Sequence, residues 1–318
     1  MKPIPLLIGT IMCAALACET AARAGQRQKE DGEEQGTRTV VVDPNVTVTA
    51  CAGSGAIVVR GWDRNEVRAR SGDAERIDLR RMDGTSDQKP ATQLRVIIYN
   101  VGGAGSGCEA YNDIELNVPR GATVKLKTRS GDLQITDVAG ATVESISGDV
   151  ALQRIARVTE AASGTGDVTL KSAGGRVRLR TISGSIDAAD VKPVEAGDAF
   201  IAQSTSGDVT LDRVGHARVD VNTLSGTIRL TGPLARGGRY DLKTNSGDVV
   251  LKLPDDASFQ VTAKVSVSGE IVTDFPLKLV DTSSAVVSHS LTGTYGTGDA
   301  TINVASFSGT VRLRRDRK

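Results

Sequence analysis

Aromatic residues make up only 3% of this 318-residue chain. Rings therefore cannot carry the interior, which has to come from Val, Ile, Leu, Ala and Thr. Histidine is scarcer still, with His216 and His289 the only two. Both stand beside turn-like residues, where exposed loop positions are expected, and they leave little for a histidine-based metal site or a general base. Charge of one sign is lacking too: 39 Lys and Arg face 38 Asp and Glu, for a formal net charge of +1. That balance removes any bulk attraction to nucleic acid or anionic lipid, so no nucleic-acid partner is expected. Long apolar runs are limited to the N-terminus, where residues 4–17 supply roughly 14 residues against the ~20 that a spanning helix needs.

That run belongs to "MKPIPLLIGTIMCAALACETAARA", which has a Lys, an apolar stretch and then Ala22-Arg23-Ala24, an A-x-A cleavage signature. It reads as a signal peptide over residues 1–24, so the chain is expected in the periplasm, the outer envelope or the extracellular space, with no transmembrane helix after cleavage. Lipid attachment at Cys18 is the alternative, because small residues precede it, although Ala15 and Leu16 do not follow the usual order of a lipidation site. After the leader, Cys51 and Cys108 are the only thiols. An exported pair in an oxidising compartment is expected to form a disulfide.

Residues 25–36, "GQRQKEDGEEQG", hold no large apolar side chain and read as a disordered linker. Segments 39–42, 45–51, 56–60, 66–70, 94–99 and 113–118 are apolar or β-branched between Gly, Asp, Asn and Pro, as short strands are. The charged stretch from Gly72 to Gln93 between them is expected to be a loop or short helix. Residues 37–120 thus form a less regular N-terminal β region, and residues 121–318 a repeat region.

The repeat is the phrase "SISGDVAL" at Ser145, with near-copies "SGTGDVTL" at Ser163, "TISGSIDA" at Thr181, "STSGDVTL" at Ser204 and "TNSGDVVL" at Thr244. Aligned on the Ser-Gly step, the copies place Gly131, Gly148, Gly166, Gly184, Gly207, Gly226, Gly247, Gly269 and Gly309 mostly ~17 to ~23 residues apart, a solenoid period. A weaker copy, "SLTGTYGT" from Ser290, is expected to fill the last gap. Hydroxyls one and three residues before the Gly, and in seven of the nine copies Val, Ile or Leu two and four after it, have strand periodicity and should face inward. One copy is too small to bury its own apolar face, so the copies should stack. The expected fold is all-β: a parallel β-solenoid of about nine or ten coils with identical side chains in ladders, under the N-terminal β cap. An antiparallel sandwich also has short strands and regular turns, but does not account for identical phrases at equivalent inward positions.

Together the leader, "IVVRGWDRNEVRARSG" (57–72), "IELNVPRGATVKLKTRSGDLQI" (114–135) and the closing "GTGDATINVASFSGTVRLRR" (296–315) resemble a bacterial family labelled "putative adhesin", formally a domain of unknown function. The resemblance spans residues 39–315 and implies an envelope-associated or secreted β-solenoid, with no catalytic residues to transfer. Some relatives of this kind are linked to envelope-stress signalling.

Asp132, Asp149, Asp167, Asp208 and Asp248 each follow the repeat Gly. Calcium could neutralise such a column, but the simpler reading is Asp closing a turn on backbone amides, since Ser185, Thr227 and Thr310 share the position. No catalytic, cofactor or metal residues are assigned, and no enzyme activity is expected. Two residues before Gly the pattern points outward, and Ile146, Ile182, Leu224, Val267 and Phe307 there form a candidate interaction stripe. Phe200 and Tyr240 fall on the inward register. The terminal "RLRRDRK" is expected to be a solvated charged end. The functional expectation is a non-catalytic binding scaffold or adhesin for an envelope protein or glycan. The alternatives are a polysaccharide-active β-helix enzyme using face Asp residues, and a stress regulator binding a peptide or membrane partner.

Overall fold

A computed structural model describes residues 36–71, 76–84, 89–99, 108, 113–285 and 288–316. The leader, nearly all of the linker and Cys18 lie outside the described residues. Within them every regular element is a strand.

The repeat folds into rungs. Each has a leading strand, a Gly turn and a trailing strand, and successive rungs pair in parallel. The first rungs share long bent strands: β7 (Thr123–Ser130), β8 (Leu133–Ser147) and β9 (Val150–Thr165), where the trailing part of one rung runs straight into the leading part of the next. From there the leading strands are β11 (Arg176–Ser183), β13 (Ala199–Ser206), β15 (Arg218–Ser225) and β17 (Arg239–Ser246). The trailing strands are β10 (Val168–Lys171), β12 (Ile186–Val191), β14 (Val209–Val214), β16 (Ile228–Thr231) and β18 (Val249–Leu253). Registers keep like over like: Val168 lies on Val150 and Ile186, Leu211 on Leu230, Ser183 on Ser206. Parallel stacking at ~4.8 Å per rung turns one phrase into continuous ladders. The shared interior of Val, Ile, Leu and Ala is the core, including Phe200 and Tyr240 as expected. The fold is solenoid-like and all-β.

The ends depart from chain order. β1 (Thr37–Ala52) and β2 (Ile57–Trp62) form a rung beneath β7 and β8. Rungs therefore begin earlier than residue 121: Ser54-Gly55 stacks under Ser130-Gly131, and Ile57 and Val59 align with Leu133 and Ile135. Outside it lie β5 (Ala91–Tyr99) and β6 (Ile114–Pro119), again parallel, and then the antiparallel β4 (Arg76–Arg81) and β3 (Glu66–Arg70). The charged stretch expected to be a loop or short helix thus contains β4 and the start of β5, because Ile77 and Leu79 turn inward to cover the last rung.

At the other end β23 (Ala300–Ser308) and β24 (Val311–Arg315), the last strands of the chain, slot between β17/β18 and the earlier β19 (Phe259–Ser268) and β20 (Ile271–Thr273). The copy expected at Ser290 is not a rung. It is β22 (Ser288–Tyr295), antiparallel to both β19 and β21 (Lys278–Ala285). Antiparallel pairing there ends the ladder that a further parallel copy would extend. The terminal charges are not a free tail: Arg312 to Arg315 belong to β24, with Leu313 fully buried.

Candidate functional site

The repeat turn explains its own sequence. Gly184 and Gly207 have φ of 153° and 148°, and a Cβ on either would overlap the Gly carbonyl of the adjoining rung. No other residue meets both demands. Three positions earlier the hydroxyl is buried and reaches across rungs: Thr181 donates to the Gly166 carbonyl at 3.2 Å, Thr223 to Gly207 at 3.2 Å and Thr244 to Gly226 at 3.2 Å. The Ser one position before Gly, expected inward, is exposed at Ser130, Ser147, Ser183 and Ser206. Each is the last residue of its strand, where the chain begins the Gly turn and the alternation of inward and outward faces breaks off.

The Asp after the Gly also acts between rungs. Asp132 accepts the amide of Asp149 at 2.9 Å, Asp149 that of Asp167 at 2.9 Å, Asp167 that of Ser185 at 2.7 Å, Asp208 that of Thr227 at 2.8 Å and Asp248 that of Thr310 at 2.8 Å. Asp208 also pairs with Arg229 at 3.2 Å, and Asp248 with Arg312. The Thr310 amide, with Arg312 beside it, holds the Asp248 carboxyl below the usual range. Carboxylates tied to amides in this way serve as turn locks. Among the described residues no cluster of three or more His, Cys, Asp or Glu is placed to hold a metal ion.

A second column stands six residues past Gly131, Gly148, Gly166, Gly184 and Gly207. Asp137, Arg154, Ser172, Asp190 and Arg213 all have left-handed φ of 51° to 61°. Arg154 grips Asp137 through two bonds of 2.7 and 2.6 Å, and Arg213 grips Asp190 through bonds of 2.6 and 3.0 Å. The Arg154 bond holds the Asp137 carboxyl below its ordinary range, and the Arg213 bond does the same for Asp190. These surface pairs mark the rung's corner and, screened by solvent, add little to stability. The sequence signal was an Asp or Arg recurring six residues after Gly.

His216 is fully buried, not exposed in a loop. Its Nε2 donates to the Gly175 carbonyl at 2.7 Å, its ring stands edge-on to Phe200 at 6.0 Å, and its Nδ1 has no partner among the described residues. Burial pushes its pKa down. His289 is exposed, within β22. Of the aromatics that could have offered sugar platforms, Phe259 and Phe275 are buried, and with Tyr295 they form a cluster of ring contacts between 4.9 and 5.7 Å. They plug the C-terminal end of the core.

The outward face of the leading strands remains. Ile146, Ile182, Leu224, Val267 and Phe307 are 46–63% exposed. They do not touch in an unbroken line, because Gly164 lies between Ile146 and Ile182, Thr205 before Leu224, and Asn245 before Phe307. Over Gly164 this leaves a groove of about 830 Å³, lined by Ile146, Ile182, Ala162, Arg129 and Arg180 among others, with Cys51 and Cys108 at one end. Those two cysteines stand at disulfide distance, Cα to Cα 4.7 Å.

Residues 91–314 match the family model described as Toastrack DUF4097. The chain belongs to this Toastrack family. A solved structure described as a putative cell adhesion protein from Clostridium sporogenes ATCC 15579 shares 10% identity, covering 89% of this chain and 100% of its own, with a TM-score of 0.25. That likeness is too distant to carry an argument. No curated protein matches. Among the described residues of this Toastrack chain no helix is long and apolar enough to cross a membrane.

Proposed function

We propose that this Toastrack protein is a non-catalytic, exported scaffold of the cell envelope, of the adhesin kind, that binds a partner through the outward face of its leading strands. The reading rests on one observation: the buried hydroxyls and the Asp carboxylates of the repeat turn are engaged within the stack, while the large apolar residues Ile146, Ile182, Leu224, Val267 and Phe307 are left facing solvent. Rigid rungs hold these side chains in register, so many weak contacts add without any moving part. Export follows from the leader sequence, and with it an oxidised Cys51–Cys108 bridge.

The Asp column favours binding over hydrolysis. Its carboxylates are engaged on the amides of adjoining rungs, as Asp149 is on Asp167 and Asp208 on Thr227, and so stand as turn locks, not as a pair of carboxyls set on either side of a glycosidic bond.

Immobilised protein is expected to retain cells or purified envelope polymer without releasing fragments, and Ile182→Lys with Leu224→Lys to abolish retention. Equal retention by the doubly substituted protein would show that the face is idle. Release of soluble glycan would favour the polysaccharide-active alternative.

A further inference from the structure

The groove over Gly164 has a chemistry of its own. Its floor steps down between Ile146 and Ile182, where Gly164 and Ala162 supply almost no side chain. Its acidic member, Glu144, is neutralised by Lys127 at 2.7 Å. Arg129 and Arg180, exposed three rungs apart along the groove, have neither an ion pair nor a hydrogen bond from their guanidinium groups among the described residues. Two free cations thus flank an apolar depression.

Resting on the binding-scaffold reading, we infer that this groove binds an extended acidic peptide strand, with carboxylates at positions i and i+4 and an aliphatic side chain at i+2. The spacing follows from the stack. The Arg129 rung and the Arg180 rung are three steps apart through Thr128, Ser145, Ser163 and Thr181, or ~14 Å at ~4.8 Å per rung. Arg129 follows Thr128 whereas Arg180 precedes Thr181, so the two are also offset by two residues, ~7 Å, along the strands and lie ~16 Å apart on a diagonal across the groove, a gap that the long arginine stems shorten. Four residues of extended chain cover ~13 Å, and an even separation puts both carboxylates and the residue midway on one face. That middle side chain meets the depression over Gly164, while each carboxylate meets a guanidinium, the donor best matched to it. A single fatty chain offers one charged end and leaves the second Arg unmatched.

Fluorescence polarisation with a labelled Asp-Ser-Leu-Ser-Asp peptide tests the inference. Wild-type protein should bind it saturably and lose affinity as salt rises. R129Q/R180Q should bind at least tenfold more weakly at an unchanged melting temperature. R129E/R180E should instead select Lys-Ser-Leu-Ser-Lys, which wild type ignores. Equal binding of Asn-Ser-Leu-Ser-Asn by wild type would overturn the inference without recourse to any variant. So would failure to bind the acidic peptide alongside Arg129- and Arg180-dependent sedimentation with phosphatidylglycerol vesicles, which would assign the arginines to a lipid surface. If the peptide fails while Ile182→Lys with Leu224→Lys still abolishes retention of envelope material, the scaffold reading stands and only the acidic-strand chemistry falls.

Discussion

The two ends of the stack face one problem, an unpaired strand edge beyond the last rung, and close it with the same topology but different chemistry. At each end the strands nearest the chain terminus slip one rung inward, so β1/β2 and β23/β24 are laddered on both sides. Chain ends that would otherwise fray are held by neighbours above and below. At each end an antiparallel pair then stops the parallel ladder. The N-terminal end is sealed by aliphatic residues, Ile77, Leu79, Val96 and Ile98, with the Cys51–Cys108 pair anchored on β1, one rung further in. At the C-terminal end the seal is Phe259, Phe275 and Tyr295, with the Arg315 guanidinium 5.3 Å above the Phe275 ring. The difference teaches that the repeat dictates how rungs join and leaves open how the last one is covered.

The largest effect is expected where the ends are alike. Gly309→Val would force a branched side chain into a position with φ of 146° and against the Gly247 carbonyl, destabilising by roughly 4 kcal/mol or more. Gly131→Val, facing the Gly55 carbonyl, should do the same at the other end. Urea denaturation checks both, and a loss below about 1 kcal/mol at either site would mean that the inserted rungs are not clamped.

The disulfide should separate the ends. An oxidised bridge spanning 57 residues stabilises by about 4 kcal/mol on the chain-entropy model. Cys51→Ala with Cys108→Ala, or reduction of the wild type, should lower the urea midpoint accordingly, and hydrogen exchange should rise first in β5 and β6. Exchange rising first in β19 would contradict this assignment. Phe275→Ala sharpens the other side: losing a buried ring from the plug should cost about 3 kcal/mol, with exchange rising first in β19 and β22 while β5 stays protected.

The smallest effect is a pH dependence concentrated toward the C-terminal half. His216 has a folded pKa below its ordinary 6.5. Both states are neutral above that pH, and as pH falls the unfolded chain takes the proton first, so stability declines from about pH 6.5 downward. The depressed pKa of Asp248 gives stability that is present above about pH 4 and lost as pH falls through the folded value. Melting curves between pH 7 and 3 should show both slopes. His216→Gln, which keeps a donor for Gly175, should flatten the upper slope, and Asp248→Asn the lower. Slopes unchanged in both variants would place the acid-sensitive groups elsewhere.

Much of the interior was legible because a strand repeats every two residues and the phrase repeats every rung. Val150, Val168 and Val209 could be assigned inward from spacing alone, as could Phe200 and Tyr240. The partner of each polar group was less legible: the Asp was expected on its own turn, yet Asp149 reaches the amide of the next rung. His216 was misjudged because its neighbours resemble a loop, while its burial comes from Phe200 and Gly175, on other rungs. The groove was half legible. Ile146 and Ile182 stood out, but Arg129 and Arg180 gain meaning only when the stack sets them three rungs apart in one groove.

Local residue chemistry by itself determined the rung: Gly where φ is positive, hydroxyl and carboxylate beside it, and aliphatic residues every second position. Only the tertiary structure decided the order of rungs at the ends, the seal over each and the pairing of distant cations across the groove. Those choices depend on which edges remain unpaired once the stack has formed, and the chain's local pattern does not encode that.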